Sequence, residues 1–159
     1  MKLLERILIV ACAALVILAL LMLCYSAGKA VYADYLFYQA AYEPTFLSTE
    51  KMMLKALSVM PNHSHYEDRA GVVYYNVLAL SGSKRAYDNA SLLFYRSYLH
   101  NPYNPQSPIH LIQLDILAIK RGLFKKPTQR GLWACDAARS LDKNNQTVKN
   151  LAEELRRMK

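Results

Sequence analysis

The sequence predicts an all-α protein, an N-terminal transmembrane helix followed by a short α-solenoid of helical hairpins. Three observations lead there. Ile7 to Gly28 holds 22 consecutive residues without a charge. Three short polar segments recur at an interval of 41 residues. Only 5 glycines in 159 residues, with no sustained alternation of Val, Ile or Thr, leave little material for a sheet.

The first element is the anchor, residues 1–28. A bilayer core needs about 20 apolar residues in a helix, because backbone amides there can bond only within their own segment. A cleaved signal peptide is the rival reading, but its apolar stretch runs to roughly 7–15 residues and ends in small residues. Here the run is longer, and cuts after Ser26 or Ala30 would be poor. Neither Cys12 nor Cys24 suits a lipoprotein signal, since Cys24 follows bulky Leu23 and Cys12 leaves too short an apolar stretch before it. Lys2 and Arg6 precede the span, whereas Lys29 after it is offset by Asp34 and Glu43, so the positive-inside rule places the N-terminus in the cytoplasm and residues 29–159 outside it. The lone cysteine of that body, Cys135, can form no disulfide within it and is expected to pack in the core.

The membrane helix is expected to continue through Lys29 to Tyr42 and to break at Glu43-Pro44. Tyr25, Tyr32, Tyr35 and Tyr38, with Phe37, follow the membrane exit, where amphipathic rings favour the interface. Packing of Tyr32, Tyr35 and Tyr38 against Met52, Met53 and Leu57 explains some of them equally well. Ser48 to Met60 forms the partner helix. Ser64 to Leu80 and Arg85 to Leu99 make the next pair, split by Ser81 to Ser83, and Pro108 to Arg121 and Thr128 to Leu141 make another, split around Gly122 and Pro127. Residues 145–158 close the array as a capping helix, with Leu151 and Leu155 on one face and charges elsewhere.

The recurring segments are Ala56 to His63, Ser97 to Asn104 and Ala138 to Asn145, each reading as a helix end that runs into a polar turn. Before them stand triplets of a small, a larger and a small residue: Thr49, Met53, Ala56; Ala90, Phe94, Ser97; Gly131, Cys135, Ala138. Spacings of four and three put each triplet on one helix face, where small residues admit a neighbouring helix. Gly71, inside a helical pattern, costs about 1 kcal/mol relative to alanine and implies a tight crossing.

Ala70, Gly71 and Tyr74, then Ala90, Phe94, Ser97 and Pro102, resemble the tetratricopeptide repeat (TPR), over roughly Gly28 to the C-terminus. Its unit is about 34 residues, so the units here are longer, and the excess falls between Tyr74 and Ala90 and again between Asp115 and Gly131. Leu111, Ile112 and Asp115 depart from the signature, as does Lys143 where proline is expected. The resemblance implies a groove lined by His65, Asp68, Val72, Tyr75, Asn76, Gln106, Ile109, Gln113 and Ile116. The peptide-gripping form of the family clamps a C-terminal carboxylate there, a ligand that Asp68 and Ile109 disfavour.

Chemistry is sparse. His63-Ser-His65-Tyr-Glu67-Asp68 offers four potential ligands in six residues. The same residues suit a helix start, with Ser64 and Glu67 as a capping box, and the histidines lack the i, i+4 spacing of a helical metal site. His100 and His110 read as turn or surface residues. With no phosphate loop, metalloprotease helix or serine elbow, the sequence predicts no catalytic, metal or cofactor site.

Setting aside Lys2, Arg6 and Glu5, 18 Lys and Arg face 11 Asp and Glu. Lys84, Arg85, Lys120, Arg121, Lys125, Lys126 and Arg130 cluster in and around the two longer stretches. They read either as solvated faces or as a basic rim for an anionic polysaccharide or lipid headgroups, and an exported body has little access to nucleic acid. These features together predict a non-catalytic scaffold held in the bilayer by residues 7–28, which docks another membrane or envelope protein. The resemblance places it in the bacterial inner membrane, as an accessory of exopolysaccharide synthesis or export. A structural subunit of a membrane enzyme or transporter is the alternative, and an enzyme using His63 to Asp68 the third reading.

Overall fold

The structure is a computed structural model that describes residues 2–158, with side chains from residue 8 onward. The side chains of Lys2 and Arg6, on which the orientation expectation rests, lie outside the described residues. Seven α-helices and no strand occur among the described residues. The chain divides into two compact units, Met1–Pro61 and Asn62–Lys159.

In the first unit, α1 (Lys2–Ala40) is an unbroken helix of 39 residues, about 58 Å long at 1.5 Å per residue. It passes through Gly28, where an added Cβ would meet nothing within 4 Å. Among the described residues it is the helix long and apolar enough to cross a membrane, and the side chains from Leu8 to Leu23 are exposed along it. Its last turns differ: Ala33, Leu36, Phe37 and Ala40 are buried. They pack against α2 (Phe46–Val59), which buries Glu50, Met53 and Ala56. Thr45 caps α2 by accepting the Ser48 N–H, and the Thr49 hydroxyl donates to the Ala40 carbonyl at 3.3 Å, tying the second helix to the end of the first. Tyr32, Tyr35 and Tyr38 are exposed. Ala33, Leu36, Phe37 and Ala40 occupy the buried face turned to α2, and the Tyr32 ring lies at its edge, 5.6 Å from Lys55 Nζ.

The second unit contains α3 (Ser64–Ser81), α4 (Lys84–His100), α5 (Gln106–Lys120), α6 (Gln129–Leu141) and α7 (Gln146–Arg157). Each expected helix forms with ends shifted by two residues or fewer. Each helix packs on the next, and α3, α5 and α7 touch in succession. The α3–α4 turn is two residues long: Gly82 adopts φ 64°, its N–H bonds the Leu78 carbonyl at 2.9 Å, and Ser83 caps α4. Residues 121–128 join α5 to α6 instead. The two helix pairs are thus joined differently, by a two-residue turn in one and an eight-residue loop in the other.

Three helices end alike. The residues closing α2, α4 and α6 are Met60, Asn101 and Asp142, with φ/ψ of −123/70°, −146/82° and −145/88°. Their N–H groups bond the carbonyls of Ala56, Ser97 and Ala138 at 3.1, 3.0 and 3.1 Å. Those three acceptor residues are each 0% exposed. Small side chains recur there because a helix neighbour leaves no room for larger ones.

Packing explains the departures between units. An added Cβ on Gly71 would lie 2.5 Å from the Phe94 ring. One step later the positions hold Ile112 and Cys135, both fully buried, so the bulk moves from the second helix to the first. Asp115 stands where Tyr74 stands in the preceding unit. Its carboxylate lies against Gly131, whose added Cβ would be 2.1 Å from Oδ2.

Candidate interaction surfaces

Three buried or half-buried carboxylates brace the second unit. Glu67, 1% exposed, takes Arg96 Nε at 3.0 Å and His100 Nδ1 at 2.6 Å. Asp68 Oδ1 meets His110 Nδ1 at 3.1 Å and accepts from the Ser107 hydroxyl at 3.3 Å, while Ser107 also bonds the Ser97 hydroxyl, which donates to the Ser64 carbonyl at 2.9 Å. Asp115 accepts from the Tyr87 hydroxyl at 2.6 Å and the Thr128 N–H at 2.8 Å, and Thr128 in turn caps α6 by accepting the Gly131 N–H. Burial, and secondarily the bond to Asp115, pushes the Tyr87 phenol well above its ordinary value.

These braces correct one expectation. Ser64 is the first residue of α3 rather than its cap. His63 stands at the cap without a side-chain bond, and its ring packs on Tyr66 at 4.7 Å. The capping box does not form, since the helix begins one residue early and Glu67 finds Arg96 and His100 on α4. His100, exposed at the end of α4, and the half-buried His110 also take part in the braces. Among the described residues no group of three His, Cys, Asp or Glu could hold a metal ion.

The residues expected to line a first-helix groove differ in exposure. His65, Asn76 and Gln106 are exposed, and Val72, Tyr75 and Gln113 are half-buried. Asp68 is engaged with α5, and Ile109 and Ile116 are buried in the core rather than lining a groove. The contact of α3 with α5 sets the two rows beside each other.

The basic residues are dispersed into local pairings. Lys84 pairs with Asp88 at 2.8 Å and Lys120 with Glu154 at 2.8 Å; Arg121 donates to the Ala79 carbonyl, and Arg85 is engaged as well. Lys125 and Lys126 are exposed on the 121–128 loop. Arg121 on Ala79, and Phe124 against Tyr87 at 4.8 Å, bring the α5–α6 loop onto the α3–α4 end. The two longer stretches therefore lie at one end of the unit, and their cations do not form a continuous unpaired row among the described residues.

Sequence reasoning missed a further surface. The α4 and α6 backbones do not pack on each other. Trp133 bridges them, with Tyr95 and Tyr98 edge-on to its ring at 5.3 and 4.9 Å. Arg130 donates to Ser91 Oγ at 2.9 Å and lies 4.9 Å from the Tyr95 ring centre. Leu92 and Leu99, 48% and 56% exposed, flank these rings on α4. A lone tryptophan surrounded by tyrosines far off in sequence gave no periodic signal, since its neighbours are 35 and 38 residues away.

No family model matches the chain, and no curated protein matches it.

Proposed function

We propose that this chain is a single-span, non-catalytic adaptor whose TPR-like body docks a partner protein of a bacterial cell-envelope assembly. In this reading residues 7–28 of α1 hold it in the inner membrane with the N-terminus cytoplasmic and residues 29–159 outside. The pathway, synthesis or export of a surface polysaccharide, comes from the resemblance of an anchored short repeat array to accessory proteins of that kind.

The observation that carries the adaptor role is the division of labour among side chains. Glu67, Asp68 and Asp115 are tied into helix-to-helix braces, while Leu92, Leu99 and a tyrosine–tryptophan cluster remain at the surface. The repeat reading is supported by the helix ends that recur at Ala56, Ser97 and Ala138. Each unit of such an array buries its apolar face on its neighbours and leaves an extended surface for docking.

Two measurements test the proposal. A reporter fused after Lys159 that works only outside the cytoplasm is expected to be active, and cytoplasmic activity would reverse the orientation. Mild-detergent extraction from native membranes is expected to recover the chain with a stoichiometric protein partner. Recovery as a lone monomer would overturn the adaptor reading.

A further inference from the structure

The geometry points to the α4–α6 ridge as the docking surface, and to its occupant as an amphipathic helix of a partner protein with apolar residues two turns apart and a carboxylate beside them. This deepens the adaptor reading and rests on it.

Leu92 and Leu99 stand seven residues apart on α4, about 10 Å along the axis at 1.5 Å per residue. Residues i and i+7 of a facing helix have the same separation, which is how apolar anchors of a helix are read by a groove. Between the leucines lies Tyr95, and across the cleft Trp133 fills the space that the two backbones leave. Trp, Tyr and Arg are the residues that dominate binding energy at protein interfaces. Here they are also held in place: the tyrosine edges fix the indole, and Ser91 and Tyr95 fix the guanidinium. A surface ordered before binding loses less entropy when it docks.

Charge selects the occupant. Among the described residues Arg130 meets no carboxylate, although it is exposed and two of its contacts orient it. Its remaining donors form a planar fork suited to Asp or Glu. A lipid surface fits less well. Lys125 and Lys126, which meet no carboxylate among the described residues, sit on the 121–128 loop rather than on the ridge.

Trp133 is the single tryptophan of the chain, so its emission reports on this surface alone. The full chain in phosphatidylcholine nanodiscs would be titrated with a synthetic helical peptide carrying Leu at i, i+3 and i+7 flanked by Glu, and with its counterpart carrying Lys. The acidic peptide is expected to shift Trp133 emission saturably and at least about tenfold more tightly than the basic one. Leu92→Asp and Leu99→Asp, both at exposed positions, are each expected to weaken it about tenfold or more with helix content unchanged. Arg130→Gln is expected to abolish the preference for Glu over Lys and keep the dependence on leucine.

Silence of Trp133, or equal responses to both peptides, would overturn the assignment. So would an emission shift produced by phosphatidylglycerol nanodiscs without peptide, which would give the ridge to the membrane, or a concentration-dependent shift without peptide, which would give it to a second copy. A silent Trp133 in a chain that still copurifies with a partner would remove this surface and leave the adaptor reading standing. A responding Trp133 in a chain recovered alone from native membranes would support the surface and remove the adaptor reading.

Discussion

Gly131→Ala tests the packing logic of the second unit most directly. On helix propensity alone the change stabilises α6 by up to about 1 kcal/mol. The new Cβ, however, would sit 2.1 Å from Asp115 Oδ2 and 3.0 Å from Asp115 Cβ, so the whole acid must move rather than only its tip. Overpacking of this kind costs about 1–3 kcal/mol. A displaced carboxylate also weakens its bonds to the Thr128 N–H and the Tyr87 hydroxyl, each worth about 1.5–3 kcal/mol when one partner is charged. Because the bonds stretch rather than vanish, the net expectation is a loss of about 2–4 kcal/mol. In an Asp115→Ala background the obstacle is gone, and Gly131→Ala is expected to be neutral or to stabilise by up to about 1 kcal/mol. The four chains, unfolded in urea in nanodiscs and followed by circular dichroism, give the coupling directly, expected at about 3 kcal/mol. A stabilised single variant, or a cost that persists undiminished without Asp115, would refute the close approach of α5 to α6.

Three further outcomes follow from the packing of the second unit. Glu67→Ala leaves His100 and Arg96 without their shared carboxylate; since Arg96 is 44% exposed and can rehydrate, the expected loss in urea unfolding is about 2 kcal/mol, below the 3–5 kcal/mol of a fully buried pair. Tyr87→Phe removes one donor to Asp115 and costs about 1.5–3 kcal/mol near neutral pH. Folding favours the neutral phenol of Tyr87, so its contribution is complete below pH 10, the ordinary tyrosine value, and is lost as pH rises beyond it; the gap between wild type and Tyr87→Phe should narrow in alkaline unfolding titrations. Burial pushes the Cys135 thiol up, so in a chain with Cys12→Ser and Cys24→Ser a water-soluble maleimide should label the folded protein at least about 100-fold more slowly than the urea-unfolded one.

What could be read from the residues depended on range. The charge-free run, the proline-marked turns and the spaced small residues act over a few positions, so the helices fell where periodicity placed them. The role of Gly71 as a crossing point was legible because glycine inside a helix is costly unless something needs the space; that its occupant is the Phe94 ring was not. His63 to Asp68 shows the opposite case. Local rules favoured a capping box, and the structure uses Glu67 and Asp68 between helices because partners on α4 and α5 offer stronger bonds than the helix's own first turn.

By itself the sequence determined an apolar helical stem and the seven helices of the described residues, because each is a matter of local propensity and of which face of a helix is apolar. Only the tertiary structure decided which charges are braces and which rings are surface. Tyr87 and Asp115 are 28 residues apart, Asp68 and His110 are 42 apart, and such pairs are chosen by how helices pack, which no local pattern encodes.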